Sequence, residues 1–191
     1  IVKAIVGAIC DTNARLRVRF PQLTTELCRE VSFITSQELE DIYPELSGSE
    51  RETAYLREHK TAFIMQIGGA LRSGKPHDSR APDYDDWELN GDLFFWDDVL
   101  GRALEISSMG IRVDAEALDR QLSIAGCDDR RALPFHQMLL NDQLPLTVGG
   151  GIGQSRLCLL LLGCVHIGEV QSSVWDQETI DTCDKAGVKL L

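Results

Sequence analysis

The middle of the chain holds two strand-like runs in succession, Asp92 to Trp96 and Ala103 to Val113, with no helical segment between them. That order constrains the fold more than any other feature, because a doubly wound parallel sheet needs regular strand–helix alternation. Shorter elements surround the pair. Apolar residues at helical spacing (Val2, Ile5, Val6, Ile9) predict a helix over residues 1–19, and Val31–Ile34 and Ala62–Ile67 read as strands. Thr35-Ser36-Gln37-Glu38 and Ser49-Glu50-Arg51-Glu52 read as capping boxes that open helices. Leu71–Asn90, polar and rich in Asp, Pro and Gly, reads as a loop, and Gly110 as a break in the second long strand. Helices are expected at Ala115–Ala125 and Phe135–Asn141, then a glycine turn after Thr147-Val148, then an apolar buried helix over Ser155–Gly163. The expected class is α+β, on a mainly antiparallel sheet.

Charge narrows the function classes. The 191 residues carry 19 basic against 30 acidic side chains, a net charge of −11. Nonspecific binding to nucleic acid or to an anionic membrane needs clustered Lys and Arg, so both are expected to be absent. An anionic small molecule needs only local arginines or a divalent cation. The most apolar run, Leu157 to Val165, is about half the length that spans a bilayer. Six cysteines with no CxxC pair predict reduced, buried thiols of a cytoplasmic protein.

Chemistry concentrates in three places. His77 to Trp87 packs four carboxylates, an arginine and a histidine into eleven residues, with Pro82, Tyr84 and Trp87 as tethers. Such a loop is either a solvated acidic surface, a site for a zwitterion, or a divalent-metal site. In the second place, strand period 2 puts Glu105 and Ser107 on the face opposite Leu104 and Ile106, with Asp92 nearby on the partner strand. Two carboxylates there would repel; they are either ordinary surface groups or joined by Mg²⁺ with nucleotide phosphates. Gly110 before Arg112 reads as a bulge that re-aims the arginine or as a plain kink. The third place, Gly149 to Leu157, fits neither GxxxxGK[ST] nor GxGxxG. It is a glycine strand or turn entering a helix, with Arg156 in the first turn, where backbone and guanidinium face a flat phosphorylated ligand.

The blocks Arg80-Ala81-Pro82-Asp83-Tyr84-Asp85-Asp86-Trp87, Leu89-Asn90-Gly91-Asp92, Glu105-Ile106-Ser107-Ser108-Met109-Gly110-Ile111-Arg112-Val113-Asp114 and Gly149 to Leu157 resemble the ammonia-dependent asparagine synthetases. The matches Thr35–Leu39, Tyr43–Leu46, His166–Gln171 and Val174-Trp175 extend the likeness over almost the whole chain. That family is related in fold to the catalytic domains of class II aspartyl- and asparaginyl-tRNA synthetases. The resemblance implies an ATP- and Mg²⁺-dependent ligase that joins aspartate and ammonia through a β-aspartyl-adenylate, in a cytoplasmic homodimer. It implies that Arg156, Arg80, Ser107 and Gly153 serve ATP, with Asp92 and Glu105 on the nucleotide and its Mg²⁺. Arg112 then clamps the aspartate α-carboxylate, Ser108 lies beside it, and Asp85 receives the α-amino group.

Two departures accompany the likeness. Family chains are longer and begin well before Ile1, so residues 1–191 are expected to be the C-terminal portion of one catalytic domain, inactive alone and with a sheet short of strands. Only Glu88 separates Trp87 from Leu89 where the family has several more residues. Either the loop is short or a segment is absent from this chain. The rival readings are a class II tRNA synthetase core and a noncatalytic module that binds aspartate or a nucleotide.

Overall fold

The computed structural model describes residues 1–191. In chain order the elements are α1 (Val2–Arg19), β1 (Ser32–Thr35), α2 (Ser36–Ile42), α3 (Gly48–His59), β2 (Thr61–Met65), β3 (Asp85–Asp97) and β4 (Arg102–Arg112). Then follow α4 (Ala115–Ile124), α5 (Pro134–Leu140), β5 (Val148–Ile152), α6 (Gln154–Leu162) and α7 (Gln177–Ala186), with short 3-10 turns at Asp128–Ala132 and Ile167–Glu169. The strands form one sheet in the order β1-β2-β3-β4-β5. β1 and β2 run parallel, joined by the α2–α3 crossover, and every other pair is antiparallel. The α+β reading holds.

Local chemistry sets the element starts. Thr35 caps α2 as expected, its hydroxyl accepting from the Glu38 N–H at 3.1 Å while the Glu38 carboxylate accepts from the Thr35 N–H at 2.8 Å. The second box starts two residues before the expected one. Ser47 and Ser49 both have a glutamate three residues on, and the chain uses the first, with the Glu50 carboxylate accepting from the Ser47 N–H at 2.8 Å.

The sheet is covered on both faces. On one, Phe63, Leu93, Phe95, Leu104 and Ile106 pack against Val6 and Ile9 of α1 and Leu159 to Leu161 of α6. On the other, Ala62, Ile64 and Phe94 meet Leu39 of α2 and Tyr55 and Leu56 of α3. β2 is therefore buried on both sides, which suits its apolar run Ala62–Met65. Burying each large side chain of these clusters contributes roughly 1.5–3 kcal/mol. A smaller cluster of Val113, Ala117, Leu118, Leu122 and Leu139 ties α4 and α5 to the end of β4. The cysteines divide: Cys10 and Cys183 are buried, whereas Cys158, expected inside, is exposed on the outer side of α6.

Three expectations about the strands need correction. The polar loop ends at Tyr84, because Asp85 already pairs with Arg112 and opens β3. β4 passes through Gly110 unbroken; the irregularity lies opposite, where β3 residues 86–89 stand between the Asp85 and Asn90 pairs with no partners in the register. The glycines after Val148 form edge strand β5, with Gly149 to Gly151 opposite Gly110, Met109 and Ser108.

Candidate active site

A bulge in β4 decides which residues meet. Leu93 pairs with Ser107 and Phe94 with Glu105, so Ile106 is an extra residue in β4. The side-chain alternation is thereby shifted by one. Ser107, 2 % exposed, turns with Ile106 toward the α1/α6 face, and Ser108 takes the place opposite Asp92. The expectation that Glu105 and Ser107 share a face fails because period-2 counting ignores the inserted residue. The face toward α2 and α3 instead carries Asp92, Phe94, Glu105, Ser108, Gly110 and Arg112.

At one end of this face an open cavity of ≈ 410 Å³ is lined by Asp92, Glu105, Arg156, Glu52, Arg102 and His77, among others. Phe94 supplies an aromatic wall. Arg156, in the first turn of α6, forms an ion pair with the Glu105 carboxylate and donates to the Glu105 backbone carbonyl, both at 3.1 Å. The Arg80 guanidinium pairs with Asp92 and reaches Asp78 at 2.9 Å. Asp92 is 3 % exposed. Burial pushes its pKa up to about 6, against the opposing pull of Arg80 and a hydrogen bond to Ser108, and Glu105 and Glu52 raise it further. Gly153 caps α6, its N–H bonded at 2.8 Å to the carbonyl of bulge residue Ile106. The bulge thus also anchors the helix that carries Arg156.

About 13 Å further along β4, four residues from Ser108, stands Arg112. Its guanidinium pairs with Asp85, itself 6 % exposed, donates to the Tyr84 hydroxyl at 3.0 Å and lies 3.9 Å from the centroid of that ring. Stacking and ion pairing together fix the plane of the guanidinium.

Of the residues singled out from sequence, Asp92, Glu105 and Arg156 line the cavity, Arg80 and Ser108 join it through Asp92, and Asp85 pairs with Arg112. Ser107 stands apart on the other face, and Gly153 acts through its backbone. Sequence reasoning used Tyr84 only as a tether and missed Glu52, Arg102 and Phe94. It also assigned the glycines of β5 to ligand approach. A Cβ on Gly149 would lie 2.5 Å from the Arg112 guanidinium, so this glycine makes room for an arginine. The cavity offers a divalent cation two carboxylate donors, Asp92 and Glu105, each already paired with an arginine; oxygen donors of this kind suit such a cation and leave coordination for phosphates.

The chain is 58 % identical over 190 residues to the aspartate–ammonia ligase of Levilactobacillus brevis, all of this chain and 57 % of that protein. To the aspartate–ammonia ligase of Clostridium tetani it is 53 % identical over 191 residues, covering 56 % of that protein. The chain therefore spans a little over half the length of the curated relatives it matches. Among solved structures, Entamoeba histolytica asparaginyl-tRNA synthetase in complex with asparaginyl-adenylate superposes with a TM-score of 0.59 at 15 % identity, over 89 % of this chain and 42 % of that one. The aspartyl-tRNA synthetase of the same organism gives a TM-score of 0.57 at 17 % identity, over 83 % and 36 %. The fold is that of class II synthetase catalytic domains. The model of the aspartate–ammonia ligase family matches residues 1–187, and the chain belongs to that family.

Proposed function

We propose that the protein of which this chain forms part adenylates aspartate on its β-carboxylate and transfers the aspartyl group to ammonia, releasing asparagine, AMP and pyrophosphate. One observation carries the reading: a carboxylate–guanidinium pair, Asp85–Arg112, on the same sheet face as a cavity where Arg80 pairs with buried Asp92 and Arg156 with Glu105. The pair is the charge image of an amino-acid zwitterion. The α-carboxylate takes Arg112 in bidentate fashion, and the α-ammonium takes Asp85. Held at that end, the side chain of aspartate extends along β4 toward the nucleotide.

Arg156 and Phe94 line the nucleotide cavity, and Arg80 faces it from Asp92. The guanidiniums neutralise phosphate charge as the β-carboxylate oxygen attacks the α-phosphorus and the bond to pyrophosphate breaks. Ammonia then attacks the β-carbonyl carbon of the mixed anhydride, loses a proton and expels AMP. Most of the acceleration comes from positioning two anions that repel in water. Asp92 and Glu105 would hold Mg²⁺, which supplies further charge neutralisation when bound with the nucleotide. By the same family resemblance the protein works as a cytoplasmic homodimer, and residues 1–191 are the C-terminal part of its catalytic domain.

Incubating the full-length protein with ATP, Mg²⁺, aspartate and ammonia is expected to yield AMP and asparagine in equal amounts. Charging of tRNA without asparagine would instead indicate a tRNA synthetase, and nucleotide binding without AMP a noncatalytic module.

A further inference from the structure

Residues 86–89 have no β4 partners in the register, yet this segment follows directly on Tyr84 and Asp85. Something else must hold it. Gln121 of α4, 1 % exposed, does so with its whole amide. Its Nε2 donates to the carbonyls of Pro82 at 2.9 Å and Asp85 at 3.1 Å, and its Oε1 accepts from the Trp87 N–H at 2.8 Å. These bonds bracket Tyr84 and Asp85, the two side chains that hold Arg112. A second anchor lies beside it. The Asp83 carboxylate accepts from Arg130 at 2.9 Å and from His136 Nε2 at 3.0 Å. Burial raises the Asp83 pKa, but these hydrogen bonds outweigh it and hold the carboxyl below its usual range. His136 therefore donates from Nε2.

We infer that Gln121, supported by His136, is the positioning residue of the amino-acid subsite: it replaces missing ladder bonds and sets where Asp85 and Tyr84 stand against Arg112. The inference rests on the adenylation reading above. Neither residue lines the cavity that holds Asp92, Glu105 and Arg156. The effect of removing them is therefore expected chiefly on aspartate.

Gln121→Met in the full-length protein keeps the length and packing of the side chain and removes all three bonds. Aspartate binding by titration calorimetry and KM for aspartate are expected to weaken by about tenfold or more, with KM for ATP little changed. Unchanged aspartate binding, or equal weakening for both substrates, overturns the role. If this variant fails to fold, His136→Leu and His136→Gln read the second anchor. Leucine is expected to weaken aspartate use, and glutamine, which keeps an N–H donor, to restore it; equal effects of the two overturn the role. A wild type that binds aspartate but makes no asparagine sinks the adenylation reading and leaves the titration comparison intact. A wild type that binds no aspartate overturns both.

Discussion

Gly149→Ala in the full-length protein isolates the placement of Arg112 from its chemistry. The added Cβ would sit 2.5 Å from Arg112 Nη2, 3.0 Å from Cζ and 3.2 Å from Nε. An ordinary contact needs roughly 3.5 Å, so the guanidinium must retreat by about 1 Å. The backbone loses nothing, since Gly149 is not among the glycines with positive φ, and alanine in a strand is favoured by roughly 0.5–1 kcal/mol over glycine. Stability should therefore hold or rise slightly. A shift of about 1 Å in a positioning group costs up to roughly 100-fold in rate, so kcat/KM for aspartate should fall by about 10- to 100-fold, or ~1.4–2.7 kcal/mol. KM for ATP should stay near its wild-type value. Gly151→Ala is the matched control, because nothing lies within 4 Å of its Cβ. Steady-state assays of both variants, with thermal melts, give the comparison. Full activity in Gly149→Ala, or an equal loss in Gly151→Ala, would refute the reasoning.

Arg112→Lys removes the bidentate fork and the stack on Tyr84; aspartate turnover should drop sharply with nucleotide affinity unchanged, and parallel losses in both would count against the role. Asp92 has a folded-state pKa of about 6, above its ordinary 3.8. Between those values the unfolded chain releases this proton first, so the group's contribution falls as pH rises from ~4 to ~6 and then levels, by up to about 3 kcal/mol. Urea melts of wild type and Asp92→Asn from pH 4 to 7 should differ by that slope, and parallel curves would refute it. Leu93→Ala, at a fully buried site in the α1/α6 cluster, should cost roughly 3 kcal/mol in the same melts; a loss under about 1 kcal/mol would show that the site collapses around the gap.

The sequence was most readable where the causes are local. The Thr35–Glu38 box needs four residues, and the absence of a helix between β3 and β4 forces their hairpin whatever surrounds them. The pairing of Asp85 with Arg112 came within reach once both residues were singled out, although their 27-residue separation hid the contact itself. Features set by distant neighbours stayed hidden. Asp85 to Leu89 looks like a loop because acidic residues are poor strand formers, and it is held extended by distant partners: Gln121, 34 and 36 residues away, on Trp87 and Asp85, and Arg120 on Asp86 and Glu88. The glycines of β5 signal close approach, but not that the approaching group is Arg112. Nothing about Ile106 distinguishes it from a regular strand residue.

That one isoleucine has a consequence for how the strand tolerates change. Replacing its side chain by valine or leucine alters packing alone, typically by about 1 kcal/mol. Deleting it removes the bulge and leaves the other pairs in place, with Ser107 still opposite Leu93 and Ser108 still opposite Asp92. What disappears is the carbonyl that receives the Gly153 N–H at 2.8 Å, and with it the tie between β4 and the start of the helix that carries Arg156. The contribution of this residue therefore lies in its backbone, which a change of side chain leaves in place and a one-residue deletion removes.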